Sequence, residues 1–159
     1  MQRLYVGPKQ YELARKLADK IKEDRIVCDM NEHDFTRSSS DFLGFLGEIV
    51  VADFVGLDRP VLLNGKTDGG FDLLLNGERV DLKVTGFGGV NPCLVLFKEK
   101  SYSNVDCFVL LVLRDGFFSV VGKVSKKVFF ENCVERDLGF GSRLVLESSF
   151  FESFKFVKG

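Results

Sequence analysis

The chain has 159 residues, of which 45% are apolar and 28% are charged. These proportions are typical of a globular protein and exclude a disordered chain. The net charge is −1, from 22 lysines and arginines against 23 aspartates and glutamates. This balance argues against a protein that coats nucleic acid by bulk electrostatics, although it leaves room for a local basic groove.

The length indicates one domain over residues 1–159, because domains typically have about 100–200 residues. The longest uninterrupted apolar run, Cys107 to Leu113, is far shorter than the ~20 residues of a membrane helix. No apolar run follows the first residues as in a signal peptide. The four cysteines lie far apart without a C-x-x-C pair, which argues against zinc. We therefore expect a cytoplasmic, intracellular protein with no membrane partner.

Two helices are predicted in the first part of the chain. Apolar side chains recur at helical spacing over residues 9–25, and Pro8 suits the first turn. The polar residues 25–40 predict a loop. A second helix is predicted from a cap at Ser40 or Asp41 to about residue 55, where a glycine ends it.

The rest of the chain predicts mostly strands. The clearest signal is Asn76-Gly77, the preferred pair for a two-residue hairpin turn, between strand-like runs at 71–75 and 78–85. Further strands are predicted at 94–97, 105–113, 117–124 and 143–146. Ser125 can cap a short helix, and Ser149 with Glu152 has capping-box spacing for a last one. The order of elements predicts an α/β or α+β fold with a mixed sheet.

The hairpin sorts its side chains into two faces. A two-residue loop places Asp72 directly opposite Asp81, and the alternation of side chains along a strand puts Lys83 on the same face. Opposed carboxylates repel each other, so a lysine or a divalent cation between them would stabilise the pair. The alternative is that both aspartates are solvated on an open sheet face. The other face is predicted to be core and carries Phe71, Leu73, Leu75, Val80, Leu82 and Val84.

The second predicted helix carries one carboxylate at its centre. The helix is apolar nearly all round, which predicts burial, and Glu48 has Gly44 and Ala52 one turn away on either side. These small residues predict a stripe where another element approaches closely. A buried carboxylate without a partner is costly, so Glu48 either joins the charged site or forms a salt bridge with a nearby cation. Asp53 is a weaker candidate because it lies near the helix end.

Three segments of this chain resemble the motifs of the PD-(D/E)XK nuclease superfamily, in order and in spacing. They are Gly47-Glu48 in a helix, Gly69-Gly70-Phe71-Asp72, and Asp81-Leu82-Lys83, with Phe71 where the name-giving proline would lie. The resemblance covers roughly residues 40–125. It implies an α/β fold with a restriction-endonuclease-like core, a mixed central β-sheet flanked by helices. Small viral, mobile-element and resolvase-like nucleases are the nearest comparison.

The resemblance implies a metal-dependent nuclease that hydrolyses phosphodiester bonds, with DNA favoured and with structure-selective or weakly sequence-specific cleavage. Glu48, Asp72 and Asp81 would bind Mg²⁺ or Mn²⁺, with the backbone carbonyl of Leu82 as a further ligand. Lys83 would position and help deprotonate the attacking water. Oxygen ligands suit these metals, which lower the pKa of bound water. A homodimer is expected if two strands are cut.

Three further cations, Arg37, Lys98 and Lys100, could contact nucleic acid, and for Lys98 and Lys100 the alternative is a solvated strand end. His33, the only histidine, favours a surface role, although it could reach a phosphate. The alternative function is a catalytically silent nucleic-acid-binding or assembly module with the same fold. Near-neutral charge favours that alternative, because phosphate contacts supply most non-specific affinity, and the acid–lysine set argues against it. A chance motif in an unrelated α+β binding protein is a third reading.

Overall fold

The computed structural model of the protein describes residues 1–26, 34–60, 62–63, 66–67, 71–86, 89–139 and 141–159. The described residues include three α-helices, which are α1 (Pro8–Ile26), α2 (Asp34–Val55) and α3 (Lys126–Asn132). None of the described helices combines the length and the apolar character needed to cross a membrane.

The second helix is longer than the sequence predicts. It begins at Asp34, so the predicted loop is wrong for residues 34–40, whereas residues 27–33, with His33, lie outside the described residues. Once the buried part of a helix has formed, extending it by one residue costs little free energy. A serine makes that extension less favourable by less than about 1 kcal/mol. The predicted end is confirmed, because Gly56 follows Val55 with a φ of +78°.

A five-stranded mixed sheet forms the centre of the fold. Its strand order is β1-β8-β7-β5-β4, in which β5 and β7 are parallel and the other neighbours are antiparallel. The strands are β1 (Arg3–Tyr5), β4 (Leu73–Leu75), β5 (Glu78–Thr85), β7 (Cys107–Leu113) and β8 (Phe117–Ser125).

Two smaller sheets accompany it. A three-stranded antiparallel sheet has the order β6-β10-β9, and β2 pairs with β3. The sequence did not predict β1, β2, β3 or β9. The strands are β2 (Leu62–Leu63), β3 (Lys66–Thr67), β6 (Cys93–Phe97), β9 (Val134–Asp137) and β10 (Ser142–Glu147).

The two faces of the central sheet pack on different layers. Along β7, Cys107, Val109 and Leu111 belong to the apolar cluster formed with α1 and α2. Phe108 and Leu110, on the opposite face, belong to the cluster formed with β6, β10 and α3. Helices therefore flank one face, and the three-stranded sheet with the short α3 covers the other. The mixed α/β class and the mixed central sheet are confirmed.

The end of the chain differs from the prediction. Ser125 caps α3 as expected, and its side chain accepts a hydrogen bond from the Val128 N–H at 3.1 Å. The predicted last helix is wrong, because only a 3₁₀ turn forms at Ser148–Phe150. The next residues are extended, and Glu152 exchanges two backbone hydrogen bonds with Lys123 of β8. Pairing with the sheet thus replaces the helical hydrogen bonds that the capping-box spacing predicted.

Candidate active site

The hairpin that carries the candidate site forms as predicted. Asn76 and Gly77 both have positive φ, 49° and 83°, as a type I′ turn requires. Leu75 pairs with Glu78 and Leu73 with Val80, which is the predicted register. The turn therefore fixes which side chains of β4 and β5 share a face.

The ladder ends one residue before the predicted Asp72–Asp81 pair. The Asp72 N–H donates to the Val80 carbonyl at 2.9 Å, and the Asp72 Oδ2 atom accepts the Leu82 N–H at 2.6 Å. The Asp72 carboxyl thus takes the place of a backbone acceptor. Strand β4 begins at Leu73 rather than at residue 71. Phe71 consequently packs against the apolar cluster that contains Phe108. Its predicted place on the core face with Leu73 and Val80 is therefore wrong.

The two aspartates still meet. The Asp72 side chain hydrogen-bonds the Asp81 side chain, although the two residues are not a ladder pair. Asp81 lies on β5 and is only 6% exposed. Its Oδ2 atom is buried and has no hydrogen bond of acceptable geometry, although the Lys83 Nζ atom lies 2.8 Å from it. The predicted placement of Lys83 on the face of Asp81 is confirmed, and the alternative of two solvated aspartates is wrong for Asp81.

Helix α2 brings the third carboxyl group to the same place. The Glu48 side chain hydrogen-bonds Asp72. The helix can approach the sheet because residue 47 is glycine, where an added Cβ would lie 2.5 Å from the Val84 Cγ2 atom. Gly44, which the sequence suggested as part of the close approach, instead faces open space. The structure thus joins Glu48, Asp72 and Asp81 into one cluster, called the acidic cluster below.

The acidic cluster is electrostatically unfavourable for ionised carboxylates. Burial is the main reason that the pKa of Asp72 is well above its usual value, and the charges of Glu48 and Asp81 raise it further. Burial also raises the pKa of Glu48, against the lowering effects of the hydrogen bond from Asp72 and of the Lys83 charge. Both carboxyl groups therefore resist ionisation in the folded chain.

Lys83 compensates part of this charge. Burial alone would lower its pKa, but the adjacent Asp81 carboxylate outweighs burial, and the pKa of Lys83 is raised. Lys83 is therefore a protonated ammonium at neutral pH. In this arrangement it can donate hydrogen bonds and stabilise negative charge, and it cannot accept a proton from water.

Tyr102 is a residue of the site that the sequence analysis missed. It is 7% exposed, and its ring centre lies 5.9 Å from the Lys83 Nζ atom and 5.5 Å from the Lys100 Nζ atom. Both distances are within reach of a cation–π interaction. Its hydroxyl oxygen accepts the Phe97 N–H at 3.2 Å. Nothing in Ser101-Tyr102-Ser103 predicts this burial, since it depends on packing within the cluster that Phe108 forms with other elements on that face of the sheet.

The three predicted nucleic-acid contacts have different surroundings. Lys100 lies close enough for its charge to lower the pKa of Glu48. Lys98 is ion-paired with Glu135 at 2.9 Å on the exposed surface. Arg37 lies in α2, and its side chain is outside the described residues. Of the two lysines, whose side chains the structure describes, Lys100 is thus the one that lies near the acidic cluster.

The oxygen atoms of the acidic cluster are of the kind that binds a divalent cation, but they are not arranged around a metal position in this structure. Carboxylate oxygens are the ligands that Mg²⁺ and Mn²⁺ prefer, and Asp81 offers a buried oxygen without a hydrogen bond. Among the described residues, however, no group of three or more histidine, cysteine, aspartate or glutamate side chains is placed to hold a metal ion. The carboxyl groups instead hydrogen-bond one another. Metal binding would therefore require these hydrogen bonds to open.

Comparisons with known proteins give no family for this chain. No protein-family model matches it, and no curated protein and no solved structure matches it either. Its function is therefore inferred from the chemistry of its own residues.

Proposed function

We propose that the protein is a metal-dependent nuclease with a restriction-endonuclease-like core that hydrolyses phosphodiester bonds in DNA. The observation that carries this proposal is the acidic cluster. Three carboxyl groups and one ammonium share a largely buried place, so full ionisation leaves two uncompensated negative charges. One divalent cation would neutralise them and would remove the repulsion that raises the pKa of Asp72 and Glu48.

The residues of this chain have separate roles in the proposal. Glu48, Asp72 and Asp81 would hold Mg²⁺ or Mn²⁺, with the Leu82 backbone carbonyl as a further oxygen ligand. The bound metal would supply Lewis-acid polarisation of the phosphate and a more acidic water. Lys83, a protonated ammonium beside Asp81, would stabilise charge on the phosphate in the transition state. This role replaces the predicted help in deprotonating water, because a lysine with a raised pKa is a poor base.

A catalytically silent nucleic-acid-binding module is the second candidate. It is favoured by the present placement of the carboxyl groups, since no three ligands among the described residues are set for a metal. The Lys83–Asp81 ion pair also gives the acidic cluster a cation of its own. In this candidate the cluster would be a structural feature and the chain would bind nucleic acid without cutting it.

Metal-dependent stability and cleavage separate the two candidates. The wild type, Asp81→Asn and Lys83→Ala would be heated with EDTA and with Mn²⁺, then assayed on labelled duplex, single-stranded, flap and four-way-junction DNA. Asp19→Asn and Lys155→Ala, at exposed positions, are the matched controls. Mn²⁺ at 100 times its dissociation constant adds ~2.7 kcal/mol to the free energy of unfolding of a binding-competent protein. For a chain of this size that raises the Tm by about 5 to 10 °C.

The proposal expects this rise in the wild type, in Lys83→Ala and in both controls, and its loss in Asp81→Asn. The wild type and both controls should cleave DNA, whereas Asp81→Asn and Lys83→Ala should not. Binding of DNA by a wild type that neither cuts nor gains stability from metal would instead establish the silent module. A wild type without cleavage, DNA binding or metal binding would refute both candidates.

A further inference from the structure

The solvent-facing side of the three-stranded sheet carries an aromatic ring and two arginines in one row. Phe97 of β6 pairs with Arg143 of β10, which pairs with Arg136 of β9. Directly paired residues in an antiparallel sheet lie on the same face. The Arg143 guanidinium lies 4.5 Å from the centre of the Phe97 ring, which is itself half exposed. We call Phe97, Arg143 and Arg136 the Phe97 face.

The composition of the Phe97 face suits unpaired bases. The residues that alternate with it on β6, Leu94 and Leu96, are buried in the core, so the Phe97 ring lies on the side of the sheet that faces away from that cluster. An exposed aromatic ring beside a planar guanidinium provides surfaces on which bases stack, whatever their sequence. The two arginines also supply the positive charge that phosphates require.

Tyr102 connects the backbone of Phe97 with the acidic cluster. The Phe97 N–H donates to the Tyr102 hydroxyl at 3.2 Å, and the Tyr102 ring lies within 6 Å of the Lys100 and Lys83 ammonium groups. Lys83 in turn lies 2.8 Å from Asp81. Because the Tyr102 ring is buried in the cluster with Leu94 and Leu96, these contacts place the end of β6 near the acidic cluster, with Lys100 as an exposed residue between them.

We propose that the Phe97 face binds single-stranded nucleic acid, by stacking bases on Phe97 and by attracting phosphates with the positive charges of Arg136 and Arg143. Duplexes are poor ligands for this face, because their bases are already stacked and paired. Past the exposed Lys100 the strand would reach the acidic cluster, which makes a single strand, or the unpaired arm of a branched substrate, the substrate class. This last step rests on the proposed nuclease function, whereas the binding step does not.

The test measures binding and cleavage separately on the same variants. Fluorescence anisotropy in EDTA would follow a labelled thymidine oligonucleotide and a duplex of equal length. The variants are Phe97→Ala, Phe97→Tyr, which keeps a ring, and Arg143→Lys, which keeps the charge but not the plane. Tyr5→Ala is the matched control, because Tyr5 is also an exposed aromatic residue on an edge strand. The Tyr5 ring packs on Phe117, and the Arg3 guanidinium lies over that same Phe117 ring.

The proposal expects the wild type to bind the single strand more tightly than the duplex. Phe97→Ala should weaken single-strand binding about 5- to 150-fold, the range that loss of one stacked base gives. Phe97→Tyr and Tyr5→Ala should stay within twofold of the wild type, and Arg143→Lys should weaken binding. Preferred binding of the duplex, an unchanged Phe97→Ala or an equal loss in Tyr5→Ala would overturn the proposal.

Cleavage with Mn²⁺ distinguishes the two proposals. Single-strand binding through Phe97 by a protein that does not cut would uphold the Phe97 face and refute the nuclease. Metal-dependent cutting of duplexes at a rate that Phe97→Ala does not change would support the nuclease function and refute single-strand binding by the Phe97 face.

Discussion

Replacing Gly47 by alanine tests whether the close approach of α2 to the sheet is real. In a helix interior this change normally stabilises by about 1 kcal/mol. Here the new methyl group would lie 2.5 Å from the Val84 Cγ2 atom and 3.5 Å from the Leu111 Cδ1 atom. A valine is stiff about its first side-chain torsion, so it cannot easily give way. Overpacking of this kind costs about 1–3 kcal/mol.

We therefore expect a net loss of up to about 2 kcal/mol for Gly47→Ala, which lowers the Tm by up to about 8 °C. Gly44→Ala is the matched control in the same helix, because an added Cβ there meets nothing within 4 Å. It should gain about 1 kcal/mol. Urea unfolding with equal m-values measures both changes, and adding Val84→Ala to Gly47→Ala should show a favourable coupling between the two sites. Equal stability of the two alanine variants would refute the reasoning.

Two other predictions concern charge and capping. The pKa of Asp72 is raised above its ordinary 3.8, so the folded chain holds a proton that the unfolded chain releases. The stability that this proton contributes is full below pH 3.8 and is lost as the pH rises through the folded pKa. In EDTA, the gain in Tm of Asp72→Asn over the wild type should therefore grow as the pH rises above 3.8 and level off above the folded pKa, and parallel curves would contradict this. Ser125→Ala removes the cap of α3 and should cost about 1 kcal/mol in urea unfolding, whereas Ser125→Asn should cost much less.

The sequence predicts those parts of the site that depend on local rules. Asn76-Gly77 determines a turn type, the turn determines the register, and the register places Asp81 and Lys83 on one face. The departure at Asp72 could not be foreseen this way. Its carboxyl competes with a backbone acceptor for the Leu82 N–H at 2.6 Å, and the side chain wins only in the folded surroundings of the acidic cluster.

The remaining misses depend on contacts between distant segments. Strand β9 has three charged residues among its four, so no apolar alternation indicates it, and it is defined by its pairing with β10. Tyr102 lies between serines in a turn-like stretch, and it is buried in a cluster where the rings of Phe108, on the next strand, and Phe130, on α3, pack against it. Propensity and periodicity carry no information about such pairings. Strand β9 nevertheless supplies Arg136 to the Phe97 face, and Tyr102 accepts a hydrogen bond from the Phe97 backbone.

The Gly47→Ala variant also links the stability of the fold to the acidic cluster. Glu48 follows Gly47 in the chain, so a methyl group that pushes α2 away from Val84 also moves the Glu48 carboxyl away from Asp72. Without metal, this displacement weakens one hydrogen bond between two carboxyl groups that resist ionisation, which adds little to the overpacking cost. With Mn²⁺ bound to the wild type, the displaced residue is a metal ligand, and its displacement costs more. The difference in Tm between the wild type and Gly47→Ala should therefore widen when Mn²⁺ replaces EDTA, whereas the difference for Gly44→Ala should not change. An equal difference in both conditions would show that Glu48 is not part of a metal site.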